Sequence, residues 1–95
     1  MEYLYKQRYL KAFDALPHAD QQRVVDSLRQ IKQYLRTGHA PYGLRIQPLY
    51  DSIRSRVFEA RISLALRIVW TREGERVTFV LLGTHDEVRR FLRSW

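Results

Sequence analysis

Residues 55–83 constrain the fold more than any other part of the chain, because three apolar segments follow one another with only short polar turns between them. The segments are Ser55–Ser63, Leu66–Thr71 and Val77–Gly83, and Arg72–Glu75 has the composition of a hairpin turn. Since successive side chains of a strand point to opposite faces, the pattern predicts consecutive antiparallel strands. The third segment is apolar at nearly every position, which is typical of a strand inside a sheet.

The first half of the chain predicts a short edge strand over residues 1–5 and two helices. Pro17 ends the first helix, and Asp20 and Gly38 are the expected N-cap and end of the second. The apolar faces of the two helices are Tyr5, Tyr9, Ala12, Phe13 and Leu16, and then Val24, Leu28, Ile31 and Leu35. A short loop between them predicts a helical hairpin.

Two further elements complete the expected fold. Leu44–Gln47 alternates as a strand with Arg45 on its polar side, and Pro48 indicates an edge or an end. Thr84 and Glu87 form a capping box, so a last helix should begin at His85 and pack through Val88, Phe91, Leu92 and Trp95. We expect one α+β domain over residues 1–95, with an N-terminal helical hairpin on a four- to five-stranded, mainly antiparallel sheet and a C-terminal helix.

The charge of the chain predicts a polyanionic partner. Seventeen Lys and Arg residues against ten Asp and Glu give a formal net charge of +7, and residues 41–95 contain ten arginines and no lysine. The chain has no cysteine, which excludes disulfides and thiolate chemistry and fits a reducing cytoplasm. We expect no signal peptide or membrane span, and the spacing of His18, His39 and His85 does not predict a metal site.

A candidate site emerges where the third strand ends. Glu59, Arg61 and Arg67 lie on the polar faces of the first two strands, opposite the apolar set Phe58, Ala60, Ile62, Leu66, Ile68 and Trp70. His85 follows the third strand at a helix N-terminus, which favours anions. Two arginines, a carboxylate and an imidazole suit the binding and cleavage of a phosphodiester. A structural interpretation is also open, in which Glu59 pairs with Arg61 along the strand and His85 is a solvated surface residue.

Three short motifs resemble the RelE/ParE superfamily of bacterial toxins, in particular its RelE and YafQ-like mRNA interferase branch. Residues 57–62 look like the family's strand carrying basic residues, residues 66–70 look like its Tyr-Arg-Leu-Val-Tyr strand, and residues 82–87 are similar to the Gly-Thr-His-Ser-Asp ending of the YafQ-like branch. The order of the elements agrees over almost the whole chain.

The resemblance implies a ribosome-dependent endoribonuclease that cuts mRNA in the ribosomal A site and is inhibited by a cognate antitoxin. In this interpretation Arg67 contacts the scissile phosphate, Arg61 is a second basic residue, and His85 transfers a proton. Glu59 or His85 is the general base, and no metal or other cofactor is required. Arg45 and Arg56 are further candidates for RNA binding, and Phe91 resembles a YafQ-like phenylalanine that can stack on a base.

Two alternatives of another class stay open. The chain can be a ParE-like toxin that inhibits DNA gyrase without chemistry, although that branch usually lacks the histidine found here at His85. It can also be a catalytically inactive homologue that only binds an antitoxin.

Overall fold

The computed structural model describes residues 1–51 and 56–94. Within them, five strands and three α-helices form in the chain order β1 Glu2–Tyr5, α1 Gln7–Asp14, α2 His18–Thr37, a 3₁₀ helix over Tyr42–Leu44, β2 Gln47–Asp51, β3 Arg56–Arg61, β4 Arg67–Glu73, β5 Arg76–Gly83 and α3 His85–Arg93. Ser55 and Trp95, which the sequence assigned to the first central strand and the last helix, lie outside the described residues.

The strands form one mixed sheet in the order β1-β5-β4-β3-β2. Strands β2 to β5 pair antiparallel with their neighbours in the chain, whereas β1 pairs parallel with β5. Strand β5 is thus an interior strand, as its continuous apolar run predicted, and β1 is an edge strand. The predicted α+β class and mainly antiparallel sheet are confirmed.

The two faces of the sheet bury different apolar clusters. On one face, residues of α1 and α2 such as Tyr9 and Ile31 pack with Trp70 and Phe79, all of them buried. On the other face, Val88 of α3 packs over a smaller cluster built from Val57, Val69, Val80 and Leu81. Glu59, Arg61 and Arg67 lie on this second face. The part of the face beneath α3 is therefore apolar, and its polar residues lie outside the area that α3 covers.

Two expectations about the first half of the chain are wrong. Helix α2 begins at His18 after Pro17, so Asp20 lies in its first turn, where its carboxylate faces the positive end of the helix dipole. Residues 44–47 do not form a strand, because the chain makes a 3₁₀ turn that buries Leu44 and then leaves Arg45 with a left-handed φ of 47°. Strand β2 starts only at Gln47, and Pro48 lies in this edge strand as predicted.

The junction between β5 and α3 is tight and fully capped. The Glu87 N–H donates to Thr84 Oγ1 at 3.2 Å, and the Glu87 carboxylate accepts from the Thr84 N–H at 3.0 Å, so the predicted capping box is confirmed. A Cβ on Gly83 would come within 3.1 Å of the Glu87 carboxyl group, so Gly83 gives this carboxylate room to return to Thr84. The direction of α3 is thereby set at its first residue.

Replacing Thr84 by Ala should lower the free energy of unfolding by about 1 kcal/mol, because it removes the acceptor for the Glu87 N–H. Urea unfolding followed by circular dichroism measures this change. Glu87→Gln is the control, since glutamine also closes a capping box. Equal losses in the two variants would contradict the role assigned to the Thr84 hydroxyl.

Tyr9 should make the fold sensitive to alkali, because burial raises the pKa of its phenol well above the ordinary value near 10. The unfolded chain ionises Tyr9 first, so stability is retained below pH 10 and is lost as the pH rises above it. Relative to that of Tyr9→Phe, the unfolding free energy of wild type should fall by about 1.4 kcal/mol for each pH unit above 10. Urea titrations at several pH values measure this shift, and parallel pH profiles would contradict it.

Candidate active site

A row of paired residues crosses three strands at one end of the sheet. Arg61 of β3 lies opposite Arg67 of β4, and Arg67 lies opposite Gly83 of β5. The β3–β4 hairpin turns beyond this row, where the Ile62 N–H donates to the Leu66 carbonyl at 2.9 Å. Helix α3 starts two residues after Gly83, so two arginines and the first turn of a helix meet at the same end.

The two guanidinium side chains of this row share one face and repel each other. Directly opposed residues of an antiparallel pair have Cα atoms about 4.5–5.5 Å apart, and like charges placed so destabilise the pair. The Arg61 side chain is partly buried and the Arg67 side chain is only 15% exposed, and among the described residues nothing pairs with the Nε of either arginine. The row therefore combines surplus positive charge with unused hydrogen-bond donors, which is the electrostatic setting of an anion site.

Glu59 offsets one of these charges from inside the protein. It lies diagonally from Arg67 on the same face, is only 3% exposed, and accepts a hydrogen bond from Arg67 Nη1 at 3.5 Å. The Gln47 side-chain amide donates to the same carboxylate oxygen. Glu59 thus joins the edge strand β2 to the arginine row through two side chains.

The burial of Glu59 argues against its use as the general base. One carboxylate oxygen is occupied by Gln47 and Arg67, and the other is buried without a partner among the described residues. A carboxylate that is only 3% exposed offers a ribose hydroxyl little access. The geometry instead suits Glu59 to holding the Arg67 guanidinium in place.

His85 is an exposed residue at the same end of the sheet as the row. It is the first residue of α3, and two residues of chain separate it from Gly83. Since two residues span at most about 7 Å, the Cα atoms of His85 and Arg67 lie within about 13 Å of each other. At 100° per residue, His85 lies on the flank of α3 away from Phe91, whose ring contacts Arg8 of α1.

The helix N-terminus itself is not an open anion site. Thr84 already accepts the Glu87 N–H, and Asp86 and Glu87 place two carboxylates in the first turn. These charges interact favourably with the helix dipole and compete with any external anion. The arginine row, and not the end of the helix, is therefore the candidate feature for binding a phosphate.

The other candidate residues lie outside this cluster. Arg56 is at the far end of β3, about 16 Å from Arg61 along the strand, and alternation places it on the opposite face. Arg45 is exposed in the turn before β2, not on a strand face. Phe91 is partly buried against the apolar cluster beneath α3, with the Arg8 guanidinium 5.9 Å from its ring centre. The structure places Arg56 and Phe91 away from the arginine row, whereas Arg45 precedes Gln47, the strand partner of Glu59, by two residues in the chain.

Gln47 is the site residue that sequence reasoning missed. The predicted strand over residues 44–47 ended at this position, and no role was predicted for Gln47. The observed register pairs Gln47 with Glu59. Only the pairing of β2 with β3, which the sequence pattern did not fix, identifies it.

Several solved structures have this fold. The archaeal RelE–RelB complex from Pyrococcus horikoshii has a TM-score of 0.69 at 16% identity, over 87% of this chain and 92% of that chain. A YoeB/ParE toxin from Agrobacterium tumefaciens has a TM-score of 0.63 at 19% identity, over 90% and 99%. The Escherichia coli DinJ–YafQ toxin–antitoxin complex has a TM-score of 0.65 at 19% identity, over 92% and 94%. The chain has the fold of the RelE, YoeB and YafQ toxins, as its motifs indicated.

No protein-family profile and no curated protein sequence matches the chain. Within residues 1–51 and 56–94, no cluster of three or more His, Cys, Asp or Glu side chains has the geometry of a metal site. None of the helices in that part of the chain is long and apolar enough to cross a membrane.

A double-mutant cycle should show that Glu59 and Arg67 are energetically coupled. We expect a coupling free energy of about 1–3 kcal/mol for Glu59→Gln and Arg67→Gln, because each single change leaves a buried charge without its opposite charge. The exposed pair Asp26 and Arg29, whose charged atoms lie 3.6 Å apart, is the matched control and should give less than about 0.5 kcal/mol. Urea unfolding supplies all the free energies, and equal coupling in both cycles would contradict the assignment.

Proposed function

We propose that this chain, which has the fold of the RelE, YoeB and YafQ toxins, is the toxin of a type II toxin–antitoxin pair and a ribosome-dependent endoribonuclease that cuts mRNA. The observation that supports the proposal is the opposed pair Arg61 and Arg67, which lies at the same end of the sheet as the helix start that carries the exposed His85. A phosphodiester is an anion of suitable size for two guanidinium groups, and the imidazole supplies proton transfer.

In the proposed reaction, the ribose 2′-hydroxyl attacks the adjacent phosphate and the 5′-oxygen of the next nucleotide leaves. Arg67 and Arg61 bind the non-bridging phosphate oxygens and stabilise the extra negative charge of the transition state. His85 moves a proton, a role that imidazole side chains commonly perform in acid–base catalysis. The protein supplies charge, position and a proton carrier, and the scheme requires no cofactor.

Glu59 and Gln47 are positioning residues in this scheme. Arg67 has four rotatable side-chain bonds, and its bond to Glu59 fixes the guanidinium before the substrate arrives. Gln47 in turn holds the Glu59 carboxylate from the edge strand. Loss of Glu59 should therefore reduce the rate through Arg67, with no direct contact between the carboxylate and the RNA.

The proposed partners are mRNA on the ribosome and a cognate antitoxin. A net charge of +7 attracts acidic surfaces and RNA over the screening length of the solution. RelE and YafQ of the same fold have been solved with RelB and DinJ. An antitoxin that lays acidic residues over Arg61 and Arg67 would neutralise the site and exclude the message.

Primer extension on a translated mRNA with purified ribosomes tests the activity. Wild type should cut in the ribosomal A site, and Arg67→Ala should lower the cleavage rate at least about a hundredfold, since loss of a charged donor to a transition-state oxyanion costs roughly 3 kcal/mol. His85→Ala should lower it about 10²–10⁴-fold. Arg29→Ala, which removes an equal charge from the exposed face of α2, should leave the rate unchanged.

The alternatives give different results in the same experiment. An intact message together with inhibition of gyrase supercoiling would replace the nuclease by a ParE-like inhibitor. An intact message, active gyrase and tight antitoxin binding would identify an inactive antitoxin-binding homologue. Equal loss of cleavage in Arg29→Ala and Arg67→Ala would show that net charge alone, and not the arginine row, supports the reaction.

A further inference from the structure

Helix α3 carries an exposed arginine stripe, formed by Arg89, Arg90 and Arg93, that the proposed site does not use. All three side chains are exposed. Arg89 follows His85 by four residues and Arg93 follows by eight, so the stripe continues from the imidazole along one side of the helix, with a rise of about 6 Å between these positions.

The stripe forms no ion pair with the described part of the chain. Asp86 precedes Arg89 by three residues and Arg90 by four, spacings at which helical ion pairs form. Even so, no carboxylate of residues 1–51 and 56–94 lies within 4.0 Å of a nitrogen of these arginines. The helix dipole accounts for Arg90 and Arg93 in the last turn but not for Arg89, which lies in the middle of the helix.

The surface around the stripe does not resemble a protein-binding face. Protein interfaces have an apolar core with aromatic residues. The large hydrophobic side chains that are exposed in the described part of the chain lie elsewhere, and none belongs to α3: Met1, Leu4, Leu10, Val25, Tyr42 and Leu64. A row of exposed guanidinium groups without apolar neighbours suits a phosphate backbone, which arginine binds through paired donors.

We propose that Arg89, Arg90 and Arg93 bind the sugar–phosphate backbone of single-stranded RNA next to the linkage held by Arg61, Arg67 and His85. This inference rests on the proposed function and deepens it, because it gives the message a path along α3. The contacts are electrostatic and independent of base sequence, so they contribute affinity and position without codon preference.

The salt dependence of RNA binding tests the stripe separately from cleavage. The probe is a fluorescein-labelled single-stranded RNA with 2′-O-methyl riboses, which cannot be cut, and binding is followed by anisotropy between about 50 and 200 mM salt. Each phosphate contact on a single strand contributes about 0.7 to the slope of log K against log salt. Arg89→Gln/Arg93→Gln should therefore reduce the magnitude of the slope by about 1.4.

Arg23→Gln/Arg36→Gln is the matched control, since it removes the same charge from two exposed arginines of α2. The slope of log K against log salt for this control should differ from that of wild type by less than the contribution of about half a phosphate contact. Circular dichroism checks that both double variants keep the fold.

Three outcomes would overturn the inference. The first is an equal slope in the two double variants, and the second is an α3 variant that binds RNA like wild type but loses affinity for an acidic polyglutamate peptide. The third is a wild type that does not bind the probe. The first two leave the proposed nuclease intact if wild type still cuts mRNA on ribosomes. A wild type that binds with the expected slope loss at α3 but cuts nothing would contradict the nuclease and retain the stripe as an RNA-binding surface.

Discussion

Two guanidinium groups face each other across β3 and β4, and the buried carboxylate of Glu59 offsets part of their repulsion. The fold can hold such a pair because α3 covers the apolar part of the same face and leaves the row itself near solvent. One carboxylate against two cations leaves a net positive charge at this end of the sheet. The position of Glu59 therefore offsets part of this charge from the buried side of the sheet.

Most of the fold could be predicted because short local patterns in the sequence specify the individual strands and helices. The alternation of residues 57–62 and 66–71, the apolar run before Gly83 and the Thr84–Glu87 capping box each specify an element with few alternatives. The prediction was wrong at Asp20 and at residues 44–47, where competing signals were present. Pro17 moved the helix start, and the burial of Leu44 favoured a 3₁₀ turn over an alternating strand.

The sequence predicted which strand face each main site residue occupies, but it did not predict the distances between these residues. Alternation placed Glu59, Arg61 and Arg67 together, whereas Gln47, Arg45 and Arg56 depended on strand register, which a one-residue shift reverses. The sequence also could not show that Glu59 is buried, since burial depends on the neighbouring edge strand and on the extent of the α3 cover. These properties belong to the tertiary structure and have no local signal.

The parallel pairing of β1 with β5 has a consequence for folding. Glu2 lies opposite Arg76, so the two strands of this pair are separated by almost the whole chain. Such non-local contacts form late, because closing a long loop has an entropic cost before any pairing energy is gained. During synthesis, Tyr3 and Tyr5 of β1 lack their aromatic partner Phe79 until β5 has been made. This edge of the sheet therefore stays unpaired in the nascent chain until Arg76–Gly83 has been synthesised.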